Sequence, residues 1–112
     1  MNTAQRERLL AVVERDAAIR YRYVDEEGRN CIIGGLLAEV GVDVRKFLGS
    51  AINSLGMLCQ EHAQDRVKLM KGFGLLQSDV NVLQRKNDTH DHRGDRQQSL
   101  RKYINTLPVR EE

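Results

Sequence analysis

Ile19-Arg20-Tyr21-Arg22-Tyr23-Val24-Asp25-Glu26-Glu27-Gly28-Arg29-Asn30-Cys31-Ile32-Ile33 is the stretch that separates a mixed fold from an all-helical one. From Ile19 to Val24, large apolar and charged side chains alternate with period two, the pattern of a strand with one face buried. Asp25-Glu26-Glu27-Gly28 has the composition of a turn, and Arg29 to Ile33 can return as a second strand, so the segment predicts a β-hairpin. Two strands alone are marginal in water, and helices must cover them. The expected architecture is therefore α+β with a helical majority, about five helices around one two-stranded β-hairpin, with residues 1–112 forming a single domain.

Upstream, Leu9, Leu10, Val12, Val13 and Ala17 recur at helical spacing among Arg6, Arg8, Glu14 and Arg15. This predicts an amphipathic helix from Thr3 to about Ala18, with Asn2 or Thr3 as N-cap. Downstream, Gly34, Gly35 and Gly41 flank a short apolar helix through Leu36, Leu37 and Val40, which Gly41 is suited to end in the left-handed conformation. Asp43 can cap a further helix whose apolar stripe runs from Val44 through Leu48, Ala51, Ile52, Leu55, Leu58 and Cys59 toward Val67 and Met70, with Gly56 as a bend. Lys71-Gly72-Phe73-Gly74 reads as a loop, and Ser78 as the cap of a helix carrying Val80, Val82 and Leu83. Asn87 to Asp95 has almost no apolar side chain and reads as exposed. A last helix from about Gln97 to Thr106 carries Leu100, Tyr103 and Ile104, and Pro108 bars its extension.

Composition agrees with packed helices: 40% of the residues are hydrophobic, only 4% are aromatic, and Trp is absent, so the core draws on Leu, Ile, Val, Met and Ala. The net charge of +2 does not by itself point to nucleic acid. No apolar run approaches the roughly eighteen residues of a membrane span, and MNTAQRERLL lacks the features of an export signal, so no membrane partner and a cytoplasmic location are expected. In that compartment Cys31 and Cys59 remain thiols and pack as small hydrophobes.

The residues that carry chemistry do not assemble into a reaction centre. Asn87-Asp88-Thr89-His90-Asp91-His92-Arg93-Gly94-Asp95 is rich in oxygen and imidazole donors, but a calcium-loop register puts Arg93 in a ligand position. Cys59-Gln60-Glu61-His62 has half the spacing of a zinc knuckle, with no second pair in step. Cys31 is set among apolar neighbours that raise a thiol's pKa, and Gly34-Gly35 lacks the third glycine and lysine of a phosphate loop. No catalytic residue, metal or cofactor is expected, and the protein is read as a non-enzyme. Local charge is more informative. Arg85, Lys86, Arg93, Arg96, Arg101 and Lys102 outnumber Asp88, Asp91 and Asp95 in the C-terminal region, while Arg20, Tyr21, Arg22, Tyr23 and Arg29 mix guanidinium with phenol as interfaces do. The expected partner-binding residues are Arg20, Tyr21, Arg22, Tyr23, Arg93, Arg96, Arg101 and Lys102, with charge reversal at Arg96, Arg101 and Lys102 abolishing a salt-sensitive contact.

The order Asn30-Cys31-Ile32-Ile33-Gly34-Gly35-Leu36-Leu37 with Gly41 after it, then Gly74-Leu75 and Asn87-Asp88, resembles a pattern of small phage and prophage accessory proteins. There, a cysteine-glycine-leucine segment opens a helix, and glycine-leucine and asparagine-aspartate segments precede a final one. The resemblance spans about Asn30 to Leu107, and this chain departs from it in an extra glycine and a histidine-rich insertion. It implies a compact mobile-element protein that blocks a host machine, a class that includes anti-CRISPR inhibitors. The expected partner is a host protein or nucleoprotein complex. Direct nucleic-acid binding is the alternative, a small thiol or metal enzyme a third reading, and the stripe from Val44 to Met70 leaves a homodimer open.

Overall fold

The computed structural model describes residues 1–48 and 63–111. These contain five α-helices: α1 (Thr3–Arg15), α2 (Ile32–Glu39), α3 (Ala63–Phe73), α4 (Gln77–Thr89) and α5 (Arg93–Ile104), with a 3-10 turn at Val44–Phe47. No β-sheet or hairpin occurs among the described residues, which overturns the α+β expectation. Between α1 and α2 the chain runs as an irregular loop whose backbone pairing is local: Val24 bridges Asn30, and the Ala18, Asp25 and Cys31 amides donate to the Asn30, Arg29 and Tyr23 carbonyls. Two residues keep the first arm from lying flat. Ala17 and Tyr21 both have positive φ, at 59° and 69°, where a strand requires φ near −120°.

The second arm is lost to a helix. Ile32 and Ile33 form the first turn of α2, with Cys31 as N-cap and its Sγ accepting from the Gly34 amide at 3.3 Å. The glycines make this possible by letting the helix touch the loop. A methyl group at Gly34 would overlap the Tyr23 carbonyl oxygen, and one at Gly35 would overlap the Asp16 carboxylate. The intervening turn does form. Asp25 Oδ1 accepts from the Glu27 and Arg29 amides, and the Gly28 amide returns to the Asp25 carbonyl at 3.0 Å.

Helix α2 is the centre of the molecule, with residues 32–37 all buried, and it packs against α1, α3 and α4. One apolar cluster joins it to Leu9, Val12 and Val13 of α1, Leu69 and Phe73 of α3, Val80 and Leu83 of α4, and Leu100 and Ile104 of α5. Helix α1 starts on a capping box in which Asn2 and Gln5 exchange side-chain and backbone hydrogen bonds at 2.8 and 2.9 Å. It stops at Arg15, short of the expected Ala18. Gly41 follows α2 with φ 89°, as expected from its position, whereas Asp43 caps a four-residue 3-10 turn, Val44–Phe47, where a longer helix was expected to begin.

Other boundaries shift. Helix α3 continues through buried Phe73, so residues 71–73 are not loop, and Gly74 ends it with φ 65°. Ser78 lies inside the first turn of α4 rather than at its cap; Asp79 Oδ2 instead accepts from the Leu76 amide at 2.9 Å. The supposed loop from Asn87 to Asp95 is mostly helical. Helix α4 extends to Thr89, α5 begins at Arg93, and only residues 90–92 turn the corner between them. The stripe residues Ala51, Ile52, Leu55, Leu58 and Cys59, the bend at Gly56 and the Cys59–His62 spacing lie outside the described residues.

Candidate partner-binding surface

The α4–α5 corner holds the loop between α1 and α2 by side chains of which two, Asn87 and Arg96, are almost wholly inside the protein. Asn87 has no exposed surface. Its Oδ1 accepts from the Ile32 amide at 3.0 Å, satisfying one of the free donors at the start of α2, and its Nδ2 donates to the Ile19 carbonyl at 2.9 Å. Asp88, next in sequence, accepts from the Tyr21 amide at 3.0 Å through Oδ1 and from Gln84 Nε2 at 2.9 Å through Oδ2. The Asn-Asp pair thus pins Ile19 and Tyr21 on either side of Arg20.

Arg96 makes the complementary attachment. Only 4% exposed, it donates from Nε to the Ala17 carbonyl, from Nη2 to Ala18, and from Nη1 to both His90 and Asp91, all within 3.0–3.1 Å. Burial holds its pKa below the usual arginine value, and the positive charges of Arg20 and Arg93 add to that effect. Arg93 reaches the Arg15 carbonyl at 2.7 Å and the Asp16 carbonyl at 3.2 Å, and Gln97 reaches Val13 at 3.1 Å. Together these α5 side chains cap the last carbonyls of α1, where the helix dipole favours a cation.

What emerges at the surface is the tip formed by Arg20, Tyr21 and Arg22. Tyr21 is 52% exposed. The Arg20 guanidinium lies over its ring, 4.9 Å from the centroid, and also pairs with Asp91 at 2.6 Å and reaches the Asp88 carbonyl at 3.4 Å. Arg22 is exposed.

The eight residues anticipated from the sequence do not form one surface. Tyr23 is buried with its ring 5.1 Å from Phe47, because the alternation expected of a strand does not survive the positive φ at Tyr21. Arg96 is turned inward onto backbone carbonyls, and Arg93, though exposed, lies along the end of α1 with its guanidinium on the Arg15 and Asp16 carbonyls. Arg101 pairs with Glu14 of α1. Lys102 is exposed beside a shallow depression of about 430 Å3 lined by His90, Asp95, Gln98 and Ser99. Asn87 and Asp88, which do most to shape the site, were read only as loop residues and as part of a resemblance. The one sequence signal for them is an Asn-Asp step at a helix end, which is common.

Chemistry at the remaining groups is restrained by burial. Desolvation pushes the Cys31 thiol up to about 12, so it serves α2 as a neutral cap and not as a thiolate. Tyr103 is likewise raised to about 12, first by burial and then by its 2.8 Å hydrogen bond to Asp79. Among the described residues no three His, Cys, Asp or Glu side chains gather to hold a metal ion, and no helix is long and apolar enough to cross a membrane. At the far end of the α4–α5 pair, Met1, Leu76, Leu107 and Pro108 border a groove of about 250 Å3. No family model matches the sequence, and no curated protein or solved structure is significantly similar to it.

Proposed function

We propose that this protein is a non-enzymatic binding protein that attaches to a host protein or nucleoprotein complex through the Arg20-Tyr21-Arg22 tip and acts by occluding it, as mobile-element inhibitors of the anti-CRISPR type do. The observation that carries this reading is the exposed Tyr21 ring under the Arg20 guanidinium, mounted on a corner that Asn87, Asp88 and Arg96 brace from within. Tyr and Arg are the residue types that concentrate binding energy in interfaces, and a rigid mount reduces the entropy lost on docking. With this reading goes a cytoplasmic location, where Cys31 stays reduced.

Charge reversal at Arg96 is not a test of contact, since that side chain is a fold residue; Arg22→Glu and Lys102→Glu address exposed cations instead. The experiment is a tagged co-purification from bacterial lysate, with and without nuclease, read by mass spectrometry. A stoichiometric protein retained after nuclease supports the reading. Retention of nucleic acid alone transfers it to direct nucleic-acid binding.

A further inference from the structure

The loop turns at Tyr21 with φ 69°, a region that bulky L-residues avoid, and the fold does not need a tyrosine to make that turn, since the ring is half in solvent. Glycine or asparagine would take the same turn with less strain. The strain is held in place by Asp88, which accepts from the Tyr21 amide, and by Asn87 on the Ile19 carbonyl. A conformation maintained from outside, around a side chain that contributes little to the core, marks a group set for an external contact.

The surrounding charges indicate what kind of contact. Arg20 is paired with Asp91, Arg29 with Asp25 and Glu27, Arg101 with Glu14, and Arg93 and Arg96 with backbone carbonyls. Phosphate-backbone binding needs several unengaged cations, and at this corner Arg20 is held by an acid while Arg93 and Arg96 are held by backbone carbonyls. An exposed aromatic ring beside a cation already satisfied within the chain is the kind of group that protein–protein interfaces concentrate.

We infer that Tyr21 is the pre-organised anchor of this protein, set to insert its ring into an apolar pocket on a partner protein whose rim carries a carboxylate for Arg22. This rests on the binding-protein reading above and specifies the partner's chemistry. Because the anchor is aromatic, the contact is only weakly sensitive to salt, in contrast to the steep dependence expected from the basic segment.

The test compares wild type, Tyr21→Ala, Tyr21→Gly and, as a control at the far end of the molecule, Leu76→Ala, which removes another exposed side chain. Nuclease-treated bacterial lysate is passed over each at about 0.1 M and 0.5 M salt, and fluorescent single-stranded oligothymidine is titrated in parallel. The expected result is a retained protein that both Tyr21 variants lose by about 30-fold, that Leu76→Ala keeps, and that changes less than about threefold with salt. Thermal melting of Tyr21→Gly is expected at or above the wild-type temperature.

Equal retention by Tyr21→Ala overturns the anchor while leaving the binding-protein reading in place, and a wild type that retains no protein overturns both. Oligothymidine binding that Tyr21→Ala abolishes moves the anchor to nucleic acid and overturns the inference. A fall in melting temperature of more than about 5 °C for Tyr21→Gly shows that the ring is there for the fold, which also overturns it.

Discussion

Arg96 is the residue whose role changes most between sequence and structure. An arginine in a stretch rich in basic residues reads as a surface cation, yet its four hydrogen bonds join the end of α1 to the α4–α5 corner. Removing it leaves the buried Ala17 carbonyl and three part-buried carbonyls short of a donor. Arg96→Met is therefore expected to destabilise the protein by more than about 3 kcal/mol, measured by urea unfolding. Loss below 1 kcal/mol would show that the carbonyls find water instead. Asn87→Ala removes fewer bonds but exposes the Ile32 amide inside the core, and about 2 kcal/mol is expected. In contrast, Lys102→Ala, at an exposed site, should change stability by no more than about 0.5 kcal/mol.

At the scale of elements, α2 shows how packing overrides local pattern. It holds two glycines within eight residues, a poor composition for a helix, and is stabilised by the burial of its residues 32–37 against its neighbours. Gly34 and Gly35 are there for contact, whereas Gly41 is there for its backbone angle and has open space where a Cβ would go. The two kinds of glycine should respond differently to alanine. Gly34→Ala drives a methyl group into the Tyr23 carbonyl and is expected to cost about 3 kcal/mol or more. Gly41→Ala adds only the strain of a positive φ, about 1 kcal/mol. Chemical denaturation of the pair measures the ranking, and equal effects would mean that α2 can slide away from the loop.

For the molecule as a whole, the buried Cys31 thiol and the partly buried Tyr103 phenol set the alkaline limit. Cys31 keeps its proton to about pH 12 when folded and loses it near pH 9 when unfolded. Between those values the native state binds one more proton than the unfolded chain, so stability falls as pH rises, by up to about 1.4 kcal/mol per pH unit. Tyr103 adds a loss of the same sign above pH 10. Below pH 9 neither group contributes a slope. The melting temperature is expected to drop from pH 9 upward, and Cys31→Ala should flatten the onset of that drop; an unaltered onset would show that the thiol is not the group responsible. Alkylation of Cys31 in the native protein at pH 8 is expected to be negligible and to become rapid in denaturant.

The apolar periodicity of α1, the helix ended by Gly41, the Asp25–Gly28 turn and the final helix are legible from residues a few positions apart, because their causes are local: 3.6-residue spacing, a capping side chain, a glycine with positive φ. The same local reading singled out Arg20 and Tyr21, which meet at the tip of the loop. Whether Ile19 to Ile33 forms a hairpin depended on groups more than fifty residues away. Asn87 supplies the acceptor that lets α2 begin at Ile32, and Asp88 and Arg96 hold the backbone around Ala17 and Tyr21 out of the extended region. Alternation of side chains is compatible with strand and loop alike. Which of the two forms is decided by the hydrogen bonds available to a buried backbone, and here those partners are assembled only by the tertiary fold.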